Sequence, residues 1–142
     1  TLFVAECVLV YLDPGHTRAL MAALAGQFGS AIFVNYEMVN PDDPFGQVMV
    51  RNLEARGCPL AGLEGCSDIA GQRTRFAEAG WAPSEVITMN VAYARLPHDE
   101  IKRIERIEIF DELEGWVLIN DHYCLGWATR DALGLGLASI QL

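Results

Sequence analysis

The chain has 142 residues, 51% of them hydrophobic, which is enough for one compact domain with its own core. Its formal net charge is −9 and Lys102 is its only lysine, so it lacks the basic surface with which nucleic-acid-binding proteins displace phosphate counterions. No apolar stretch approaches the roughly 20 residues that cross a bilayer. We therefore predict a protein that binds neither nucleic acid nor membrane.

The cysteines and the first residues set further expectations. None of the four cysteines belongs to a C-x-x-C pair: Cys7, Cys58, Cys66 and Cys124. Free thiols of this kind predict a reducing, cytoplasmic location, and we expect a monomer. The sequence opens on Thr1 and runs directly into an apolar strand. This opening indicates that a preceding part of the domain is missing.

The first predicted unit, in chain order, is a strand, a helix and a second strand. Residues 2–5 form a continuously apolar run, typical of a strand buried on both faces. Asp13 followed by Pro14 predicts the N-cap and first turn of a helix, which Gly29 ends. Residues 31–34 predict the second strand. A helical crossover of this length implies that the two strands are parallel.

The middle of the chain is predicted to be mostly helical. Apolar spacing indicates helices over about residues 45–53 and 68–79. Over residues 86–96 the spacing favours a helix over a strand. Isoleucines continue at near-helical spacing over residues 101–107, and residues 111–114 resemble a capping box that opens another helix.

The end of the chain predicts a different pattern. Residues 123–128 indicate a strand, residues 130–134 a turn and residues 135–142 a final strand, so the pair would form an antiparallel hairpin. Class I methyltransferases, which use S-adenosylmethionine (SAM), have an α/β sheet that ends this way. We therefore predict an α/β fold that corresponds to the C-terminal part of such a Rossmann-like sheet, although fold alone fixes no function.

Four groups of motifs carry a specific resemblance that spans nearly the whole chain. They are AECVLVYL at residues 5–12, NYE at 35–37 with DPFGQ at 43–47, CPLAG at 58–62, and HYCL at 122–125 with WAT at 127–129. In this order and spacing they closely resemble the C-terminal part of leucine carboxyl methyltransferase. The resemblance implies SAM-dependent methylation of the C-terminal leucine carboxylate of the protein phosphatase 2A catalytic subunit, and that tail as partner.

The resemblance also assigns two site residues. Glu6 matches the family's acid beside the SAM site, and Tyr11 matches the tyrosine that meets the substrate carboxylate. The alternatives are a buried structural acid bonded to backbone amides for Glu6 and a core aromatic with a solvent-exposed hydroxyl for Tyr11. We expect no catalytic general base, because an α-carboxylate with a pKa near ~3.5 is already a nucleophile at neutral pH. We also expect no metal.

Other residues suggest weaker hypotheses. Cys7 with a distant histidine could be a nucleophile, although its apolar surroundings favour an inert thiol. The spacing of the remaining cysteines and His122 fits no zinc pattern. Residues 35–37 either border the site or anchor a loop. The three tryptophans are predicted to be core residues: Trp81, Trp116 and Trp127.

The family's glycine-rich loop, its ribose-binding acid and its substrate-binding basic residues are absent from this sequence. We therefore interpret residues 1–142 as the C-terminal portion of one methyltransferase domain, and we expect this portion alone neither to bind SAM tightly nor to turn over. Two alternatives stay open. One is a fragment of the related carboxyl methyltransferase of wybutosine synthesis, and the other is a non-catalytic module that binds the phosphatase.

Overall fold

The structure is a computed structural model that describes residues 1–108 and 111–140. Its four strands are β1 (Leu2–Glu6), β2 (Ser30–Met38), β3 (Ser84–Thr88) and β4 (Tyr123–Asp131). Its six α-helices are α1 (Pro14–Gln27), α2 (Pro44–Ala55), α3 (Ile69–Glu78), α4 (Met89–Ala94), α5 (His98–Glu105) and α6 (Leu113–Asp121). Short 3-10 turns lie at Leu9–Tyr11, Ala61–Leu63 and Leu137–Ser139. No helix of the described ranges is both long and apolar enough to cross a membrane.

The strands form one sheet in the order β1-β2-β4-β3. β1 and β2 are parallel and joined through α1, which confirms the predicted strand–helix–strand unit. β4 lies between β2 and β3 and is antiparallel to both. The mixed α/β class with an antiparallel last strand is therefore confirmed, but β3, and not residues 135–140, is the second partner of that strand.

The predicted strand over residues 135–142 is wrong for residues 135–140, and residues 141–142 lie outside the described ranges. The carboxylate of Asp131 accepts hydrogen bonds from the amides of Leu135 at 2.8 Å and Leu137 at 3.0 Å. Gly134 and Gly136 have φ angles of +65° and +76°, in the left-handed region. Together these features turn the chain back on itself, so it cannot extend beside β4.

The predicted helix over residues 86–96 is wrong for its first three residues. Val86 and Ile87 belong to β3 and are buried where they pair with β4. The helix begins one residue after Thr88, whose hydroxyl accepts a hydrogen bond from the Val91 amide at 3.3 Å. A strand followed at once by a short helix mixes two periodicities, and the helical one dominated the sequence pattern.

Side-chain caps begin the three long helices of the first half, as aspartate before a helix predicts. The carboxylates of Asp13, Asp43 and Asp68 accept from the amides of Gly15 at 2.8 Å, Gly46 at 2.7 Å and Gly71 at 2.6 Å. The helix predicted after residues 111–114 is present as α6. Its capping box is not formed, because the N-cap residue Glu112 makes no side-chain cap hydrogen bond.

The two faces of the sheet differ in burial. On the core face, Phe33 of β2 packs against Phe76 and Trp81, with ring centroids 5.8 Å and 5.4 Å apart. On the opposite face, which we call the open face, Leu2 is 62% and Val4 is 68% exposed. The prediction that β1 is buried on both faces is therefore wrong for this outward-facing side of the strand.

Candidate functional site

The candidate site is built on the chain reversal that follows β1. β1 ends at Glu6, and Cys7 adopts a φ of +48°, which bends the chain out of the strand direction. The Cys7 amide still donates to the Tyr36 carbonyl at 2.8 Å, and the Leu9–Tyr11 turn follows. Glu6 and Tyr11 therefore lie on either side of one tight reversal. It sits at the carboxyl ends of two parallel strands, where α/β sheets bind ligands.

The Glu6 carboxylate points outward at this edge. Glu6 is exposed and pairs across the strands with Tyr36, so it lies on the open face. Within the described ranges its side chain has no hydrogen-bond or ion-pair partner. The structure thus contradicts the alternative of a buried acid bonded to backbone amides, and its role in holding the cofactor stays a prediction.

The Tyr11 side chain is also accessible, with 45% of its surface exposed. It is therefore not a core aromatic, contrary to the alternative for this residue. Its hydroxyl lies close enough to Tyr123 to add to the rise of that residue's pKa, after burial and the Cys7 thiol. Its predicted contact with the substrate carboxylate is not tested by this geometry.

Two further tyrosines complete the surface beside Glu6. The rings of Tyr36 and Tyr123 stack with centroids 5.1 Å apart and planes at 8°. Burial raises the pKa of Tyr36 to about 12, and its neighbours Tyr123, Cys7 and Glu6 add to that rise. Both hydroxyls are protonated at neutral pH, as in ordinary tyrosines, and can donate hydrogen bonds. The sequence analysis missed Tyr123 as a site residue, although it belongs to the motif at residues 122–125.

Glu37 lies on the core side of the same strand end. Its side chain is buried, and its two carboxylate oxygens accept from the amides of Val10 at 3.0 Å and Met38 at 3.2 Å. Burial raises its pKa, and the two backbone hydrogen bonds and the charge of Arg75 oppose that rise. Residues 35–37 were predicted either to border the site or to anchor a loop, and the Glu37 side chain fits the second hypothesis.

The electrostatic character of the site is negative. Glu6 and Glu37 flank it, and within the described ranges no arginine or lysine forms an ion pair with either of them. The buried Arg75 hydrogen-bonds Gln72 on the core side instead. The exposed Glu6 carboxylate at this edge therefore favours a cationic ligand group over an anionic one.

The remaining sequence candidates are not brought together as a metal site. The ring nitrogens of His122 already contact the Leu118 carbonyl at 2.8 Å and the Asp43 carboxylate at 2.9 Å. Within residues 1–108 and 111–140 no group of three or more side chains of metal-binding type converges. Trp81 and Trp127 are buried core residues as predicted, whereas Trp116 is only half-buried.

Alkylation of the native protein is expected to modify Cys58 well before Cys7 or Cys124. Cys58 is exposed, whereas burial above all raises the pKa of Cys7 to about 11 and that of Cys124 to about 12, from 9.0. At pH 8 this leaves about 100-fold less thiolate at Cys7 than an ordinary thiol would have. Iodoacetamide labelling followed by peptide mass spectrometry measures the order, and labelling in urea is the control. Equal rates at Cys7 and Cys58 would restore the nucleophile hypothesis.

The mixed α/β sheet of this chain has the fold of methyltransferases. A solved structure of a proposed O-methyltransferase from Nostoc punctiforme PCC 73102 superposes on 91% of this chain and 31% of its own, with a TM-score of 0.53. Since the two sequences are only 10% identical, this likeness shows the fold alone. No protein-family model matches the chain.

Curated sequence relatives show what the chain is similar to. The chain is 46% identical to leucine carboxyl methyltransferase 1 of Bos taurus, over 99% of its own length and 42% of the relative's. It is 40% identical to the leucine carboxyl methyltransferase 1 homolog of Arabidopsis thaliana, over 95% and 41%. It is 44% identical to tRNA wybutosine-synthesizing protein 4 of Homo sapiens, over 92% and 19%. The chain is thus similar both to leucine carboxyl methyltransferases and to a wybutosine-synthesizing protein, and it spans about two fifths of the length of the former.

Proposed function

We propose that this chain is the C-terminal portion of a SAM-dependent methyltransferase that esterifies the C-terminal leucine carboxylate of the protein phosphatase 2A catalytic subunit. The observation that carries the proposal is the reversal after β1. It presents Glu6 and Tyr11, the two residues that the family resemblance assigns, on the carboxyl edge of the sheet. The four free thiols agree with a cytoplasmic location, which we propose together with a monomeric state.

The exposed residues at the end of β1 fit the hydrogen-bond donors of SAM. SAM carries an ammonium group and ribose hydroxyls, which are hydrogen-bond donors. The exposed Glu6 carboxylate is an acceptor with no partner in the described ranges, so it can bind such donors. The stacked rings of Tyr36 and Tyr123 lie on the same face and offer a flat apolar surface beside it.

The chemistry needs positioning more than proton transfer. Bound SAM supplies an electrophilic methyl group on a positively charged sulfur. The substrate carboxylate is ionised at neutral pH and needs no base, so the protein has to orient it and lower its charge during approach. The Tyr11 hydroxyl can donate to one carboxylate oxygen, but a neutral donor does not replace a cation. We therefore propose that the basic residues come from outside this chain and that the isolated chain is inactive.

The test uses the full-length gene product and a peptide with a free C-terminal leucine, with methyl transfer from labelled SAM as the readout. We expect Glu6→Gln to weaken SAM binding by about tenfold or more, because one charge-assisted hydrogen bond is lost. We expect Tyr11→Phe to raise the peptide KM about tenfold and to leave SAM binding unchanged. Glu85→Gln is the matched control, since Glu85 lies on β3, at the opposite edge of the sheet from β1, and pairs there with Arg95.

Three results would contradict the proposal when the same protein is tested with peptide, tRNA and the phosphatase. The first is equal methylation of a peptide whose C-terminus is amidated, because no carboxylate is then available. The second is methyl transfer only to tRNA, which would favour the wybutosine type of enzyme, to which the chain is 44% identical. The third is tight binding of the phosphatase without any methylation, which would favour a non-catalytic module.

A further inference from the structure

The reversal after β1 is held by a side chain from a different strand. The Leu9–Tyr11 turn has no side-chain cap at its own N-terminus. Within the turn, the Tyr11 amide donates to the Val8 carbonyl at 3.2 Å and the Leu12 amide to that of Leu9 at 3.1 Å. The Val10 amide instead donates to Glu37, which is 27 residues away in sequence. Glu37 therefore occupies the place of the missing local cap.

The two oxygens of Glu37 connect this turn to the end of β2. One accepts from Val10 in the turn and the other from Met38, the last residue of the strand. A buried carboxylate without an ion-pair partner is destabilising, so burial here is tolerated through these two donors and the charge of Arg75. In glutamine an NH2 group replaces one of these two oxygens, so one of the two backbone donors would face another donor.

A second contact fixes the turn from the opposite direction. Gly62 of the Ala61–Leu63 turn approaches so closely that a Cβ there would lie 2.3 Å from the Leu9 carbonyl oxygen and 2.8 Å from the Val10 Cα. Leu9 and Val10 are themselves fully buried. The turn is thus held between Glu37 and Gly62, while Glu6 at the end of β1 and Tyr11 at the end of the turn remain exposed.

We propose that Glu37 is a positioning residue of the site, which sets the mutual placement of Glu6 and Tyr11 by bonding the turn between them. The inference rests on the proposed function for its catalytic consequence, but the hydrogen bond and its effect on the turn can be measured independently. Glu37 acts through these residues and does not itself touch substrate or cofactor.

The experiment compares wild type, Glu37→Gln and Val86→Ala in the full-length protein. Hydrogen exchange of the peptide covering residues 7–12 is expected to be about tenfold faster in Glu37→Gln, because a backbone donor loses its acceptor. SAM affinity and peptide KM are expected to worsen together, by about tenfold each, with a smaller effect on kcat. Val86→Ala weakens the core without contacting the turn, and we expect it to lower stability but to change neither constant.

Several outcomes would overturn the proposal. One is unchanged hydrogen exchange at residues 7–12 in Glu37→Gln. Another is a Val86→Ala variant whose SAM affinity and peptide KM worsen as much as those of Glu37→Gln. If Glu37→Gln does not fold, hydrogen exchange of the wild-type protein still tests the proposal. A Val10 amide that exchanges without protection would rule out its hydrogen bond to Glu37. A wild-type protein with a protected turn that methylates no peptide would instead refute the proposed function and leave the positioning bond in place.

Discussion

Gly62→Ala is expected to destabilise the protein by about 3 kcal/mol and to abolish the site. The added methyl group would lie 2.3 Å from the Leu9 carbonyl oxygen and within 3 Å of the Val10 backbone. Both neighbours are backbone atoms of a buried turn, so neither can move aside in the way that a flexible side chain does. The turn would have to shift outward, taking Tyr11 with it and breaking the bond from Val10 to Glu37.

Gly26→Ala is the matched control for this substitution. Gly26 is exposed in α1, and a Cβ added there meets nothing within 4 Å. Alanine at a helix position is favoured over glycine, so we expect stability to rise by up to about 1 kcal/mol. Urea unfolding of both variants gives the two changes, and SAM titration shows whether the site survives. Equal stability of the two variants would contradict the close contact between Gly62 and the backbone of Leu9 and Val10.

Trp81→Ala is expected to lower the free energy of unfolding by about 3–5 kcal/mol, the largest effect that we predict. Trp81 is fully buried, and its ring packs edge-on against Phe3 and Phe33, with centroids 6.0 Å and 5.4 Å apart. Its indole N–H also donates to the Met21 carbonyl at 2.9 Å, which ties α1 to the sheet. Alanine would leave a large cavity and remove that hydrogen bond.

Trp81→Phe separates these two contributions. Phenylalanine keeps most of the apolar volume but has no N–H, so we expect a smaller loss than for alanine, with about 1 kcal/mol of it from the hydrogen bond. Urea midpoints and slopes for both variants provide the measurement. If Trp81→Ala cost no more than Trp81→Phe, the residue would not be the core residue that the structure shows.

Local chemistry in the sequence was enough to predict the first half of the fold. An aspartate before each of α1, α2 and α3 satisfies the free amides of the first turn, and this interaction spans only two or three residues. The parallel pairing of β1 and β2 follows from the length of the connection, which also needs no tertiary information. The same sequence carried the motifs that placed Glu6 and Tyr11 among the candidate site residues.

Tertiary structure decided what depends on distant partners. Val86 and Ile87 are strand residues because β4 pairs with them, and that pairing is made across some 40 residues of chain. The role of Glu37 could not be predicted either, because the amide that it accepts from belongs to a turn 27 residues away. Sequence patterns report interactions within a few residues of one another, whereas the shape of this site is set by a clamp whose parts meet only after the sheet has formed.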